Sequence, residues 1–274
     1  MGKLNEKAPQ EVALSRAPLV KVLCQVRFPL QLSIRSDDAV AQFQSELRSE
    51  YPFLNKEVVH SFRVEGANVQ GAPENAILWR FDDQKPEFVW RVTLTTEFVT
   101  LETNSYSSRE DFVSRLAAVI RAVDKSFSPG VALRIGVRYV NHIHGEDVLG
   151  IEQHINASVL GILSPDADDS GPLRDAAVHS VSEAMFNAEE GRLQARWGKL
   201  PARTTHDPAV LKPVDGESWI FDFDMFTQEN LQFEEKNITE ICEIFSERVY
   251  YVFRLMVEES FLVKFGGHDA VASE

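Results

Sequence analysis

The sequence predicts an α+β fold of two tandem repeats, each running strand, helix, three or four antiparallel strands, helix. Three observations predict it: runs rich in β-branched residues, apolar residues spaced three and four apart, and a second appearance of the same element order. Short spacings between strand segments indicate antiparallel pairing, because parallel strands need a long crossover. We therefore divide the chain into a flexible arm (1–17), a first repeat (18–130), a second repeat (131–265) and a polar tail (266–274).

The first repeat opens with a β-branched strand over Leu19–Phe28 and a helix over 38–51, which Pro52 ends. A helix over 109–127 closes the repeat, and Ser107 followed by Glu110 is a capping-box pattern at its start. The strands expected between these two helices lie at 58–64, 76–81, 88–94 and 98–103.

The second repeat starts again with a strand over 133–143. Apolar residues spaced four apart predict a helix over 147–163, and Asn237 with Glu240 predicts the cap of a long helix ending near 264. Between these helices we expect an acidic loop at 164–172, strands at 177–188, 191–198 and 219–226, and a proline-rich loop at 199–217.

Short matches between the two halves support a duplication. The segment Gln25–Phe28 matches Gly136–Tyr139, Trp90 matches Trp219, and the predicted helix cap Ser107 matches Asn237. The element order is broadly similar to the saddle of the TATA-binding protein, which suggests a pseudo-twofold arrangement with helices on one face of the sheets. This similarity concerns the fold and carries no function with it.

Composition and charge restrict the function. The net charge is −14 and the sequence pI is near 5.0, which argues against general binding of polyanionic nucleic acid. Solubility alone is the simpler explanation of this acidity, and a basic protein partner is the alternative. The chain has no apolar run of membrane-spanning length and no signal-peptide core, so we expect a cytoplasmic protein. Cys24 and Cys242 lie in apolar stretches without metal-site spacing, and no cofactor motif is present.

Two candidate sites contain groups able to bind a metal ion. His142 and His144 share one face of a strand with carboxylates nearby, so a divalent metal is conceivable, but a strand that ends in a polar turn is the more common explanation of this pattern. Asp222 and Asp224 share a face of the 219–226 strand and suit Mg²⁺ or a shared proton. The alternative for this pair is a strand face that is open to water or salt-bridged to a strand arginine: Arg27, Arg91 or Arg138.

A third candidate is an anion site. Arg27 and Arg138 occupy matching repeat positions, and a groove between the repeats would let both bind one anion or small ligand. The alternative is that each arginine is structural and pairs with a carboxylate of the sheet.

Four segments carry a family resemblance: 18–28 (PLVKVLCQVRF), 90–103 (WRVTLTTEFVTLET), 106–112 (YSSREDF) and 133–143 (LRIGVRYVNHI). They resemble a sporadically distributed bacterial family of about this length, to which no function is assigned. The resemblance implies a bacterial, cytoplasmic protein, and the patchy distribution implies a toxin–antitoxin or phage-defence gene. It supplies no catalytic residues.

Three functional hypotheses follow from these observations. The leading one is a non-enzymatic protein-interaction component, antitoxin-like or related to phage defence, with a protein partner or a homodimer. The second is a metal-dependent enzyme that uses Asp222 and Asp224. The third is an anion or small-ligand sensor that uses Arg27 and Arg138.

Overall fold

The structure is a computed structural model that describes residues 4, 6–61, 64–65, 68–69, 74–164 and 171–267. The strands found in these residues are β1 (Leu19–Arg27), β2 (Phe53–Ser61), β3 (Val64–Glu65), β4 (Asn68–Val69), β5 (Glu74–Asp82), β6 (Trp90–Leu94), β7 (Phe98–Thr103), β8 (Val131–Ala132), β9 (Arg134–His144), β10 (Ser180–Asn187), β11 (Arg192–Leu200), β12 (Ser218–Phe226) and β13 (Leu231–Gln232). The helices found there are α1 (Asp37–Leu47), α2 (Arg109–Phe127), α3 (Ala157–Leu160), α4 (Gly171–Ala176), α5 (Glu235–Met256) and α6 (Glu259–Lys264). This mixture of helices with mostly antiparallel strands confirms the α+β class.

The chain forms two compact units, and neither is continuous in sequence. The first unit contains Met1–Lys21, Arg138–Met225 and Ile244–Glu274, and the second contains Val22–Val137 and Phe226–Glu243. The unit boundaries fall within β1, β9, β12 and α5.

The second unit is a sheet covered by α1 and α2. Its strands lie in the order β1-β7-β6-β5-β2, and every neighbouring pair is antiparallel. Aromatic side chains join the helices to the sheet, with Phe43 of α1 5.3 Å from Phe81 and Phe112 of α2 5.8 Å from Trp90. The apolar stripes read from the sequence are therefore the buried faces of these helices.

The first unit has the strand order β10-β11-β12-β9. β10 and β11 form an antiparallel hairpin that is closed by a hydrogen bond from the Ala188 amide to the Gly191 carbonyl, 2.9 Å. On one face of this sheet, Phe221 of β12 meets Phe253 of α5 and Phe261 of α6 with ring centroids 6.0 and 6.2 Å apart. The other face is covered by the loop 201–217, whose Leu211 is buried with Val140 and Ile220.

The single helix expected over 147–163 is wrong. That segment instead forms 3₁₀ turns at Gly145–Val148, Ile151–His154 and Gly161–Leu163, with the short helix α3 between the last two. Gly150 and Gly161 take positive φ values of 66° and 55°, outside the helical region, and so interrupt the apolar period.

Two predicted helix caps also need correction. The N-cap of α2 is Ser108, whose side chain accepts a hydrogen bond from the Asp111 amide, and not the predicted Ser107. Asn237 is no cap, since α5 begins before it at Glu235. The helix expected to reach residue 264 also stops at Met256, and α6 is a separate helix.

The described part of the predicted arm follows α5 and α6. Tyr250 donates to the Gln10 carbonyl (3.2 Å) and accepts from the Val12 amide (3.0 Å), while Tyr251 donates to Glu6 (2.7 Å). The two tyrosines on the outward side of α5 are thus occupied by the chain's own N-terminal segment.

Replacing Ser108 by Ala should lower the free energy of unfolding by about 1 kcal/mol, because an N-cap side chain satisfies an amide that the helix leaves unpaired. Ser107→Ala is the matched control, since Ser107 bonds only the Asp111 side chain. Denaturant unfolding of both variants measures the difference. An equal loss in the two variants would contradict the assignment of the cap.

Candidate functional site

The candidate site lies on the face of the first-unit sheet that the loop 201–217 covers. β12 alternates as its sequence predicts, with Phe221 on the helix side and Asp222 on the loop side. On neighbouring β9, Arg138 lies opposite Asp222, and Val140 packs against Ile220. Strand periodicity therefore places one charged pair and one apolar cluster under the same loop.

Arg138 and Asp222 form a bidentate ion pair. Nε and Nη2 of Arg138 donate to the two carboxylate oxygens of Asp222 at 2.8 and 2.7 Å, and only 1% of the Asp222 side chain is exposed. The third guanidinium nitrogen, Nη1, lies 2.9 Å from Oδ2 of Asp207 in the loop. The expectation that a strand arginine offsets the carboxylate agrees with this geometry, and Arg138 is the arginine that does so.

A loop histidine completes the surroundings of Asp222. Nε2 of His206 lies 2.7 Å from Oδ2 of Asp222, and Nη1 of Arg196 lies 3.8 Å from the same oxygen. Arg196 is itself bonded to Glu183 of β10 at 2.6 Å. The result is a charged network that runs from the loop through β12 and β11 to the edge strand β10.

Sequence reasoning missed His206 and Asp207. They lie in a stretch without periodicity, and the one local signal is the Asp-Pro pair at 207–208, which is typical of a turn. That turn is formed, since the Asp207 carbonyl accepts from the amides of Val210 and Leu211 at 3.1 and 2.9 Å. It orients Asp207 toward Arg138 and directs Leu211 into the apolar cluster.

The contacts of Asp222 and Arg138 keep both of these groups charged. Burial alone would raise the pKa of Asp222, but hydrogen bonds from Arg138 and His206 outweigh burial and hold the pKa below its usual range. Burial likewise opposes the charge of Arg138, and the bonds to Asp222 and Asp207 raise the pKa of Arg138. Asp222 is therefore an ionised anchor for the loop.

The predicted histidine pair is present but is not arranged as a metal centre. The rings of His142 and His144 lie 5.0 Å apart, and Nε2 of His142 is buried without a hydrogen-bond partner. The nearby candidates are engaged elsewhere, Asp147 with Arg16 and His154 with Ser260. Within the described ranges, no group of three or more His, Cys, Asp or Glu side chains is suited to hold a metal ion.

The remaining candidate residues have different surroundings. Asp224 is half-buried on β12, and Arg27 is exposed at the end of β1. Arg91 forms a bidentate pair with Asp82, with bonds of 2.6 and 2.9 Å. Thus, of the three arginines considered for the carboxylate pair, Arg138 contacts Asp222 and Arg91 contacts a different carboxylate.

The cysteines are buried, as the sequence predicts. Cys24 and Cys242 are both fully inaccessible in the second unit and form no disulfide. A hydrogen bond to Cys242, together with burial, raises the pKa of the Cys24 thiol. A thiol held protonated in this way is a poor nucleophile.

An open pocket of about 450 Å³ lies in the first unit, beside the end of the loop 201–217. Its polar lining is largely paired within the protein, with Lys199 bonded to Glu217 at 3.0 Å and Arg174 to Asp175 at 3.3 Å. The lining residues are Glu152, Gln153, Leu163, Arg174, Asp175 and Lys199.

Comparisons of the chain with protein-family models, with curated proteins and with solved structures found no match. No helix in the described part of the chain is long and apolar enough to cross a bilayer.

Replacing Asp222 by Asn should lower the free energy of unfolding by about 3 kcal/mol, because it leaves the buried Arg138 without its closest anion. Glu183→Gln is the matched control. It also removes a carboxylate that contacts Arg196, but at an exposed position, so its effect should be small. Urea unfolding of both variants measures the difference. A loss in Asp222→Asn no larger than in Glu183→Gln would contradict the anchoring role.

Acid should destabilise the protein through His142. Burial, with the neighbouring His144 and His206, lowers the pKa of His142 from 6.5 to about 4. Between these values the unfolded chain binds a proton that the folded chain does not, so stability is lost as pH falls from 6.5 toward 4, by up to about 3 kcal/mol.

Unfolding measured across this pH range in His142→Gln should show a shallower loss of stability than in the wild type. His179→Gln removes an exposed histidine and is the control that should keep the wild-type slope. If stability falls equally steeply with pH in the wild type and in His142→Gln, His142 does not cause the destabilisation by acid.

Proposed function

We propose that this chain is a protein-interaction component and that its charged site is structural. The observation that carries the proposal is the exposure of large apolar side chains along 173–185. Leu173, Val178 and Met185 are 61%, 68% and 49% exposed, although the protein buries a large apolar core elsewhere. Exposed apolar side chains are typical of a surface that another protein covers where they form one contiguous patch, and we propose that these three do.

The charged groups of the site support the same reading. Arg138 and His206 both bind Asp222 where the loop 201–217 covers the sheet, and the side chains of Asp222, Arg138 and His206 are 1%, 15% and 11% exposed. A metal-dependent reaction at Asp222 and Asp224 would need Asp222 to exchange Arg138 and His206 for a metal ion. An anion sensor that uses Arg138 would need to displace Asp222 and Asp207. Among the described residues, no further contact favours the metal-dependent enzyme or the anion sensor.

The net charge of −14 favours a basic partner, because opposite charges accelerate encounter and select the partner. We further propose that this chain is a cytoplasmic member of the bacterial family that its sequence resembles, and that it has an antitoxin-like or phage-defence role. A basic protein encoded by a neighbouring gene would be the first partner to test.

We also propose that the two units descend from a duplicated strand–helix–sheet–helix element. In the second unit, β7 lies between β1 and β6 and precedes α2; in the first, β12 lies between β9 and β11 and precedes α5. This order equates β7 with β12, whereas the sequence match placed Trp90 of β6 on Trp219. The saddle-like pseudo-twofold arrangement stays a prediction.

Val178→Asp should reduce capture of the partner about tenfold or more from lysate of the source cells, because a charge at a buried interface position opposes association. Leu30→Asp, at a residue 54% exposed in the second unit, is the matched control and should capture normally. Quantitative mass spectrometry of the captured proteins gives the result. A set of bound proteins that is the same for both variants and the wild type would contradict the proposal.

A further inference from the structure

The edge strand β10 is open to pairing with another chain. It ends the strand order of the first unit, and no other described strand pairs with its outer side. All eight of its residues pair in unbroken register with β11, from Ser180 opposite Lys199 to Asn187 opposite Arg192. β10 contains no proline, lysine or bulge, and Glu183 is the single charged residue among the devices that usually protect an edge strand from pairing.

The direction of its main-chain groups follows from the hairpin. Ala188 is hydrogen-bonded to Gly191, and in an antiparallel ladder bonded and non-bonded pairs alternate. The amides and carbonyls of Asn187, Met185, Glu183 and Val181 therefore point away from β11. The Asn187 carbonyl confirms this direction, since it accepts a hydrogen bond of 2.9 Å from the Leu4 amide.

That bond shows that the outer edge accepts a main-chain donor from another segment. Within the part of the chain that the structure describes, it is the one main-chain hydrogen bond made to this side of β10. The amides and carbonyls of Met185, Glu183 and Val181 offer the same geometry along the rest of the strand. Met185 and Glu183 are exposed, so another chain has access to them.

From this geometry we propose that β10 binds an extended, basic segment of another protein as an additional antiparallel or parallel strand. The inference rests on the proposed interaction function and names its surface. Its occupant is indicated by charge: the chain carries −14, Glu189 is exposed on the turn that follows β10, and the exposed Glu183 of β10 shares its charge with Arg196 of β11. A second copy of this chain would bring the same negative charge, which disfavours self-pairing.

The side chains of β10 indicate the pattern of the bound segment. Val181, Glu183 and Met185 share one face of the sheet, whereas Ser182, Ala184 and Phe186 share the other. A bound strand with Lys or Arg near Glu183 and apolar residues near Met185 would match the first face. Main-chain bonds would supply affinity and these side chains the selectivity.

The test uses a fluorescent peptide of about ten residues with Thr at every second position and with Lys and Val taking turns at the positions between, so that one face carries both the cation and the apolar side chain. Anisotropy is the readout. Met185→Pro removes one outward amide and leaves the β11 ladder intact, because that amide does not face β11. Met185→Ala keeps the amide and removes the same side chain. We expect Met185→Pro to weaken binding about tenfold or more and Met185→Ala to bind within about threefold of wild type.

A peptide N-methylated at alternate residues tests the same bonds on the unmodified protein, so the result does not depend on the folding of a variant. Methylation of one alternate set should abolish binding, and methylation of the other set should leave it unchanged. Equal binding of the peptide to wild type and Met185→Pro, or insensitivity to both methylation patterns, would overturn the inference. A wild-type dimer that Met185→Pro dissociates would also overturn it, in favour of a second copy as the occupant.

Lysate capture separates this inference from the proposed function. If Met185→Pro still captures the partner that Val178→Asp loses, the interaction function stands and pairing at the edge strand is excluded.

Discussion

The ion pair between Arg138 and Asp222 is the constraint on which the first unit depends. Two charges removed from water are tolerable only when each is well bonded, and here both carboxylate oxygens and all three guanidinium nitrogens have partners. Two of these partners, His206 and Asp207, belong to the loop. If the loop moved away, Asp222 would lose its bond to His206 and Arg138 would lose its bond to Asp207. The charge thus holds a segment that has no regular secondary structure of its own.

The two faces of this sheet contribute to the first unit in different ways. Behind β12, aromatic rings such as Phe221 and Phe253 bury apolar area without direction. On the face that the loop 201–217 covers, the charged network and the small apolar cluster around Leu211 specify one position for the loop. Burial supplies the stability of the unit, and the network supplies the uniqueness of the loop position.

Sequence patterns predicted the features that depend on strand periodicity, such as which side chains share a face of the sheet. Alternation in WIFDFDMF correctly placed Phe221 and Asp222 on opposite faces, and Arg138 was among the cations expected to offset the carboxylate. His206 and Asp207 were not predictable, because their position depends on the path of a long loop and not on a repeating spacing. The helix predicted over 147–163 was wrong for a related reason. The apolar residues of this segment have the four-residue spacing of a helix, but the positive φ values of Gly150 and Gly161 prevent one continuous helix.

The first unit has a consequence for how the chain is made. It contains Met1–Lys21, Arg138–Met225 and Ile244–Glu274, and residues Val22–Val137 of the second unit separate the first two of these segments. A ribosome releases the N-terminal residues long before the last helices exist, and domains usually fold as units during synthesis. Residues Met1–Lys21 are therefore synthesised well before Arg138–Met225 and Ile244–Glu274, the segments that complete their unit. The first unit cannot fold until Val22–Val137 of the second unit has also been made, so folding during synthesis cannot proceed one unit after the other.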